Sequence, residues 1–121
     1  MNVKAIILIL TSIRFESDYW DDPWNEDDDN MNVWFTLSDG TKWVATFFTY
    51  QNIISLSRKN KSTGECLSGL YFCATDMILI EKLTKDSIQK VLDDMILKGG
   101  IPLHCNRIED GDDTDTEIQI R

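Results

Sequence analysis

Apolar and polar positions alternate most clearly between residues 32 and 49. Val33, Phe35 and Leu37 alternate with Trp34 and Thr36, and Ser38-Asp39-Gly40-Thr41 interrupts. Trp43, Ala45, Phe47 and Thr49 then alternate with Val44, Thr46 and Phe48. A period of two broken by Asp-Gly predicts a β-hairpin, because both residues accept the positive φ of a tight type I′ turn. A two-residue Asp39-Gly40 loop sets Phe35 opposite Val44, Thr36 opposite Trp43 and Trp34 opposite Ala45. One face then carries Val33, Phe35, Leu37, Val44 and Phe48. The other carries Trp34, Trp43, Ala45 and Phe47, with the two tryptophans as diagonal neighbours. Both faces are apolar, and a slip of one residue exchanges them.

The flanking pattern supplies the remaining elements. Residues 3–15 run continuously through Ala5 to Leu10 and then alternate at Ile13 and Phe15, which predicts a first strand. Thr49 is placed to cap a helix over 50–61 with Tyr50, Ile53, Ile54 and Ser57 inward. That helix ends in Arg58-Lys59-Asn60-Lys61, cations suited to the carbonyl end of a helix dipole. Ser62-Thr63-Gly64-Glu65 reads as a loop. Leu70 to Ile80 predicts another strand, whole or in two pieces about a bulge or bend at Thr75-Asp76. Thr84 caps the strongest helix, in which Ile88, Val91, Leu92, Met95 and Ile96 recur at helical spacing. Lys85, Gln89, Lys90, Asp93 and Lys98 face away, Asp86–Lys90 and Asp94–Lys98 form i,i+4 pairs, and Gly99-Gly100 ends the helix. Ile101 to Ile108 predicts a last short strand.

With 121 residues, one core is the expectation. The elements predict a single α+β domain over 1–108, a mainly antiparallel sheet of four to five strands packed against two helices. Twenty-one carboxylates against twelve Lys and Arg give a net charge of −9. That balance excludes ordinary nucleic-acid binding, which needs clustered cations, and an anionic membrane surface. The acids are concentrated. Eight of the fifteen positions 16–30 are Asp or Glu, and with Pro23 they predict an extended, solvated loop. Six of the nine positions 109–117 are acidic, so 109–121 reads as a disordered tail.

Candidate chemistry is sparse. Cys66, Cys73 and Cys105 are odd in number and lack C-x-x-C spacing, which favours a reducing cytoplasm. The apolar start resembles a signal peptide only superficially, since no small-x-small site follows it and it falls short of the ~20 residues of a spanning helix. His104 is the only histidine, and on a strand its neighbour Cys105 points to the opposite face, so no catalytic pair and no enzyme is expected. Asp27-Asp28-Asp29-Asn30 and the run from Asp112 to Glu117 do not match a calcium loop, and no Cys/His set suits zinc. Neither metal nor cofactor is expected. Asp76 is either a buried carboxylate of raised pKa or part of a surface turn. The tryptophans likewise have two readings. They complete the core, or Trp20 and Trp24 are anchors ringed by Asp21, Asp22, Glu26, Asp27, Asp28 and Asp29.

The stretch from Leu37 to Tyr50, together with Leu70 to Ile80 and the capped helix after it, resembles small bacterial immunity proteins. These are the partners of contact-dependent inhibition and related polymorphic toxins, and the resemblance covers residues 31–97. It implies a cytoplasmic, non-catalytic protein that binds and neutralises a toxin's C-terminal domain. Immunity proteins share no binding signature, so the resemblance assigns no residues. Carboxylate density suits a toxin with a basic active site, such as a nuclease, which it attracts by electrostatic steering. The residues expected to meet that partner are those of the acidic loop, with the carboxylates steering and Trp20 and Trp24 anchoring. The alternative is an adaptor module that uses a sheet face carrying Trp34 and Trp43.

Overall fold

The turn after Leu37 sets the register of the sheet. The computed structural model describes residues 7–109. In it β2 (Asn30–Leu37) and β3 (Lys42–Thr49) are closed by a three-residue loop. The Gly40 N–H donates to the Leu37 carbonyl at 2.9 Å, and the Leu37 N–H donates to the Thr41 carbonyl at 2.9 Å. Only Gly40 takes a positive φ, +85°, which is the geometry of a type I turn followed by a left-handed bulge residue. Asp39 stays at negative φ and caps the loop instead, its carboxylate accepting from the Thr41 N–H at 3.0 Å and hydroxyl at 2.6 Å.

The longer loop shifts the pairing by one. Phe35 lies opposite Trp43, Trp34 opposite Val44 and Val33 opposite Ala45, in place of the register expected from a two-residue turn. Met31, Val33, Phe35 and Leu37 therefore share a face with Trp43, Ala45 and Phe47, and none of the seven is more than 9% exposed. Trp34 joins Val44 and Phe48 on the other side. Trp34 and Trp43 thus point away from each other, which corrects the shared face.

β1 (Leu10–Phe15) pairs antiparallel with β2, setting Ile13 beside Phe35 and Phe15 beside Val33, with an irregularity between Leu10 and Ser12. It is shorter than expected. Ile7 to Ile9 are not strand, and the rest of the expected run, residues 1–6, lies outside the described residues. The far edge of β3 is divided. Its C-terminal half pairs in parallel with β4 (Met77–Ile80), and its N-terminal half pairs antiparallel with β5 (Asn106–Ile108). The result is the predicted α+β domain, a five-stranded, mainly antiparallel sheet with one parallel pair. The acidic tail lies outside the described residues beyond Glu109.

α1 (Tyr50–Thr63) is capped by Thr49, whose hydroxyl accepts from the Asn52 N–H at 3.0 Å. Its buried positions are Asn52 and Asn60, with Leu56 half-buried between them. Ile53 and Ser57 are half-buried, but Tyr50 and Ile54 are 56% and 46% exposed. The expected inward placement of those two is corrected, because hydrogen-bonding partners from elsewhere in the chain draw the Asn52 face in. α2 (Lys85–Lys98) follows the pattern closely. Thr84 caps it, Gly99 ends it at φ +71°, and Ile88 and Leu92 reach the inner sheet face with Val91, Met95 and Ile96 packed around them. The pairs Asp86–Lys90 and Asp94–Lys98 form at 3.0 and 3.1 Å on its exposed side. Ile101–His104 forms a short helix, α3, and not the start of a strand. Pro102 lies in its first turn, where a missing N–H breaks no helical bond.

Between α1 and β4 the chain departs from the expected loop and from a full-length strand, while the turn expected at Thr75-Asp76 is present. α1 runs on to Thr63, and the expected loop gives way to a single turn over Glu65–Gly69. Cys66, Leu67 and Ser68 there have φ of 52°, 50° and 55° with ψ of 49°, 52° and 43°. This is left-handed helix, which costs L-residues ~1–2 kcal/mol each. Gly69 presses the turn onto α1, and a Cβ there would lie 2.6 Å from the Ser57 carbonyl oxygen. Only Met77–Ile80 of the following apolar run is strand, because Thr75-Asp76 turns the chain with Asp76 at φ 54°.

Candidate functional site

The acidic loop is held by its own carboxylates. Glu16 opens a short 3-10 turn (Glu16–Tyr19) and is only 2% exposed. Its Oε1 accepts from the Asn32 N–H at 2.7 Å, tying the loop's start to β2. Further on, Asn25 Oδ1 accepts from the N–H groups of Asp27 and Asp28 at 3.0 and 3.2 Å. The Asp29 carboxylate accepts from the Asn25 N–H at 3.3 Å and the Asn30 N–H at 2.8 Å. Such turns satisfy backbone donors that an extended loop would leave to water. The expected solvated, extended segment is therefore corrected to a folded one.

Two clamps fix the loop to the start of α1 and to the segment between β4 and α2. On one side the Asp28 carboxylate accepts from the Asn52 amide at 2.9 Å and the Ser55 hydroxyl at 2.6 Å. These two donors, Ser55 the stronger, hold the Asp28 carboxyl below its ordinary pKa. The Thr49 N–H donates to the Asp29 carbonyl at 3.1 Å. On the other side the Trp24 indole N–H donates to the Leu83 carbonyl, and the Leu83 N–H returns to the Glu26 carbonyl at 2.7 Å. Trp20 and Trp24 are half-buried and pack against the core. Lys82 approaches Asp27 at 3.5 Å and Lys85 approaches Asp18 at 2.7 Å, but both pairs are exposed and worth little.

The expected contact residues are thereby divided. Asp28 and Asp29 are half-buried braces, while Asp21, Asp22, Glu26 and Asp27 stand in solvent. An open depression of about 480 Å³ lined by Tyr19, Trp20, Asp21, Asp22, Pro23 and Asp29 lies at the loop's tip. It gathers the exposed carboxylates of Asp21 and Asp22 beside the rings of Tyr19 and Trp20.

The two sheet tryptophans are not brought together. Trp43 is in the core, its indole N–H donating to the Thr41 hydroxyl at 2.8 Å. Trp34 lies on the opposite face with the Arg14 guanidinium 5.0 Å from its ring. Both are buried, so neither offers a ring for docking.

His104 is exposed at the end of α3, whereas Cys105 is buried. Burial first, and the Asp76 charge second, push the Cys105 thiol up to about 12, which leaves it a poor nucleophile. Desolvation also raises Asp76. Among the described residues no group of three or more His, Cys, Asp or Glu is placed to hold a metal ion. No helix among them is long and apolar enough to cross a membrane.

Sequence reasoning missed one surface. Tyr50 and Ile54 face solvent on α1, and the left-handed turn sets Leu67 and Leu70 outward. The available signal was Asn52 and Asn60 at positions eight apart, which mark a second, polar stripe competing for the buried side. Comparison with protein-family models, with curated proteins and with solved structures finds no match for this chain.

Proposed function

We propose that this chain is a non-catalytic, immunity-type protein that binds and neutralises a toxin domain in the cytoplasm by covering its active site. The partner is a protein with a basic cleft, such as a nuclease. One observation carries this reading. The acidic loop spends two carboxylates, Asp28 and Asp29, on bracing itself, and holds Asp21, Asp22, Glu26 and Asp27 exposed on the braced frame. Charges held in place lose less entropy on binding than charges on a free loop. Their field speeds encounter with a cationic target.

The test is co-expression with the product of the gene immediately upstream, followed by co-purification and association kinetics. Replacing Asp21, Asp22, Glu26 and Asp27 with Lys should slow association roughly tenfold or more at low salt and flatten its salt dependence. Asp28 and Asp29 are left intact so that the loop stays folded. Unchanged association rates would remove the loop from the interface, and failure of the wild type to bind would remove the function.

A further inference from the structure

We infer that the carboxylates of residues 110–117 seat in a basic depression on the outer face of the sheet, a strap independent of whatever partner the acidic loop meets. The strand register builds the seat. Ser12 lies opposite Thr36, Thr36 opposite Lys42 and Lys42 opposite Ile108, which makes one row across β1, β2, β3 and β5. Arg14, Trp34 and Val44 make the next row. Residues directly opposite in an antiparallel pair share a face, so both rows lie on the side of the sheet that carries Trp34. Ser12, Arg14, Trp34, Thr36, Lys42 and Ile108 line an open depression there of about 360 Å³.

The donors of this depression suit carboxylates. The Arg14 guanidinium lies over the Trp34 ring, 5.0 Å from its centre, and the Lys42 side chain is exposed. Ser12 and Thr36 add hydroxyls beside them, and charge-assisted bonds from such groups to carboxylate oxygens are the strong ones. No residue of either row is acidic. In a chain of net charge −9, two cations on rows free of acid mark the place for an anion. The opposite end of the same face is already covered, since Asn30 bonds Asn52 of α1 at 2.9 Å.

The path of the chain identifies the occupant. Ile108 is itself part of the wall, and the described residues stop one position later at Glu109. Asp110, Asp112, Asp113, Asp115 and Glu117 follow. Asp110-Gly111 is a pair that readily reverses a chain, and a reversal there directs the later carboxylates back across the sheet. Three strand spacings and one step along the strand separate Ile108 from Arg14, ~16 Å in all. Asp113 and Asp115 lie five and seven positions beyond Ile108, a reach of up to ~16 and ~23 Å. Asp110 and Asp112 thus pass Lys42, and Asp113 and Asp115 arrive at Arg14. A segment tethered at the wall of its own seat has an effective concentration of ~mM, which a dilute free anion does not match. The seated run also keeps these two cations from outside polyanions.

The test is amide relaxation by NMR on the full chain. The Asp112 and Asp113 amides should have order parameters of about 0.85 in the wild type at low salt, and these should fall below about 0.6 in R14Q/K42Q. The same fall is expected of the wild type at ~1 M salt, which screens the ion pairs and needs no variant to fold. In D112N/D113N/D115N the amide signals of Ser12, Arg14 and Thr36 should shift, although β1 and β2 are remote from the tether at Ile108. Wild-type order parameters below about 0.6 at low salt overturn the strap. So do high values that neither the double variant nor salt lowers, since the run is then held elsewhere. Values that rise with protein concentration assign the seat to the acidic run of a second copy and overturn the intramolecular strap.

Discussion

Asp28 Oδ1 accepts a 2.9 Å hydrogen bond from the Asn52 side-chain amide, across 24 positions of sequence. The same Asn52 side chain accepts through its oxygen from Asn30 Nδ2 at 2.9 Å. One buried amide therefore joins the acidic loop, the start of β2 and the first turn of α1. It also explains why this helix turns a polar side inward, since a buried amide with partners on both ends costs far less than one without.

Asp28→Ala removes the acceptor and leaves the Asn52 amide and Ser55 hydroxyl unpaired at the loop. We expect a loss of ~1–3 kcal/mol in urea unfolding. Hydrogen exchange should quicken at the Asp27 and Asp28 amides, which Asn25 now protects.

The acid limb of the stability curve should carry the same signature. The Ser55 and Asn52 donors lower the Asp28 carboxyl from 3.8 in the folded chain. Its contribution is thus fully present above that value and is lost as the pH falls through the lower folded one. The stability gap between wild type and Asp28→Ala should narrow below pH 3.8. Asp39, lowered by Thr41 in both proteins, does not affect the difference. A gap constant down to complete protonation would refute the assignment.

Thiol reactivity should separate the cysteines. Cys73 is exposed and should react first with a charged disulfide reagent at pH 8, while Cys105, with its pKa near 12, stays unmodified in the native state. Asp76→Asn removes one of the two causes of that shift and should lower the Cys105 pKa without exposing it. Labelling of Cys105 in step with Cys73 would show that its burial is wrong.

Glycine substitutions should rank by contact. Gly40→Ala meets open space and carries only the cost of a side chain at φ +85°, ~1–2 kcal/mol. Gly69→Ala adds a collision with the Ser57 carbonyl at 2.6 Å and should be clearly worse by thermal unfolding. Ser68→Gly relieves one left-handed residue and should stabilise the chain by ~1 kcal/mol. Loss of stability there would mean the turn is not strained as described.

Features decided within a few residues were legible in the sequence. Thr49 and Thr84 cap where expected, and Gly99 ends α2 where expected. The α+β class followed from the same local periodicities. The hairpin's register was not legible. Ser38-Asp39-Gly40 and Asp39-Gly40 are both good loops, and with apolar residues on both faces the pattern of β3 accepts either. The long-range bonds of the acidic loop were equally hidden. A dense run of carboxylates looks solvated until Asn52, Ser55 and Leu83, all distant in sequence, supply its partners. Of the expected contact residues, the exposed acids were readable from composition. The exposed stripe of α1 was not, because its orientation depends on where Asn52 finds its bonds.

The divided edge of β3 has a kinetic corollary. β1, β2 and β3 pair with their neighbours in sequence, so that meander can assemble early. Lys42 to Val44 must wait for Asn106 to Ile108, more than sixty positions away, and such distant closure is slow. Until it happens, those three residues present unsatisfied main-chain groups of the kind that recruit foreign strands. Crowded synthesis at high temperature should therefore produce aggregates seeded at that stretch, and co-produced peptide matching 104–109 should suppress them.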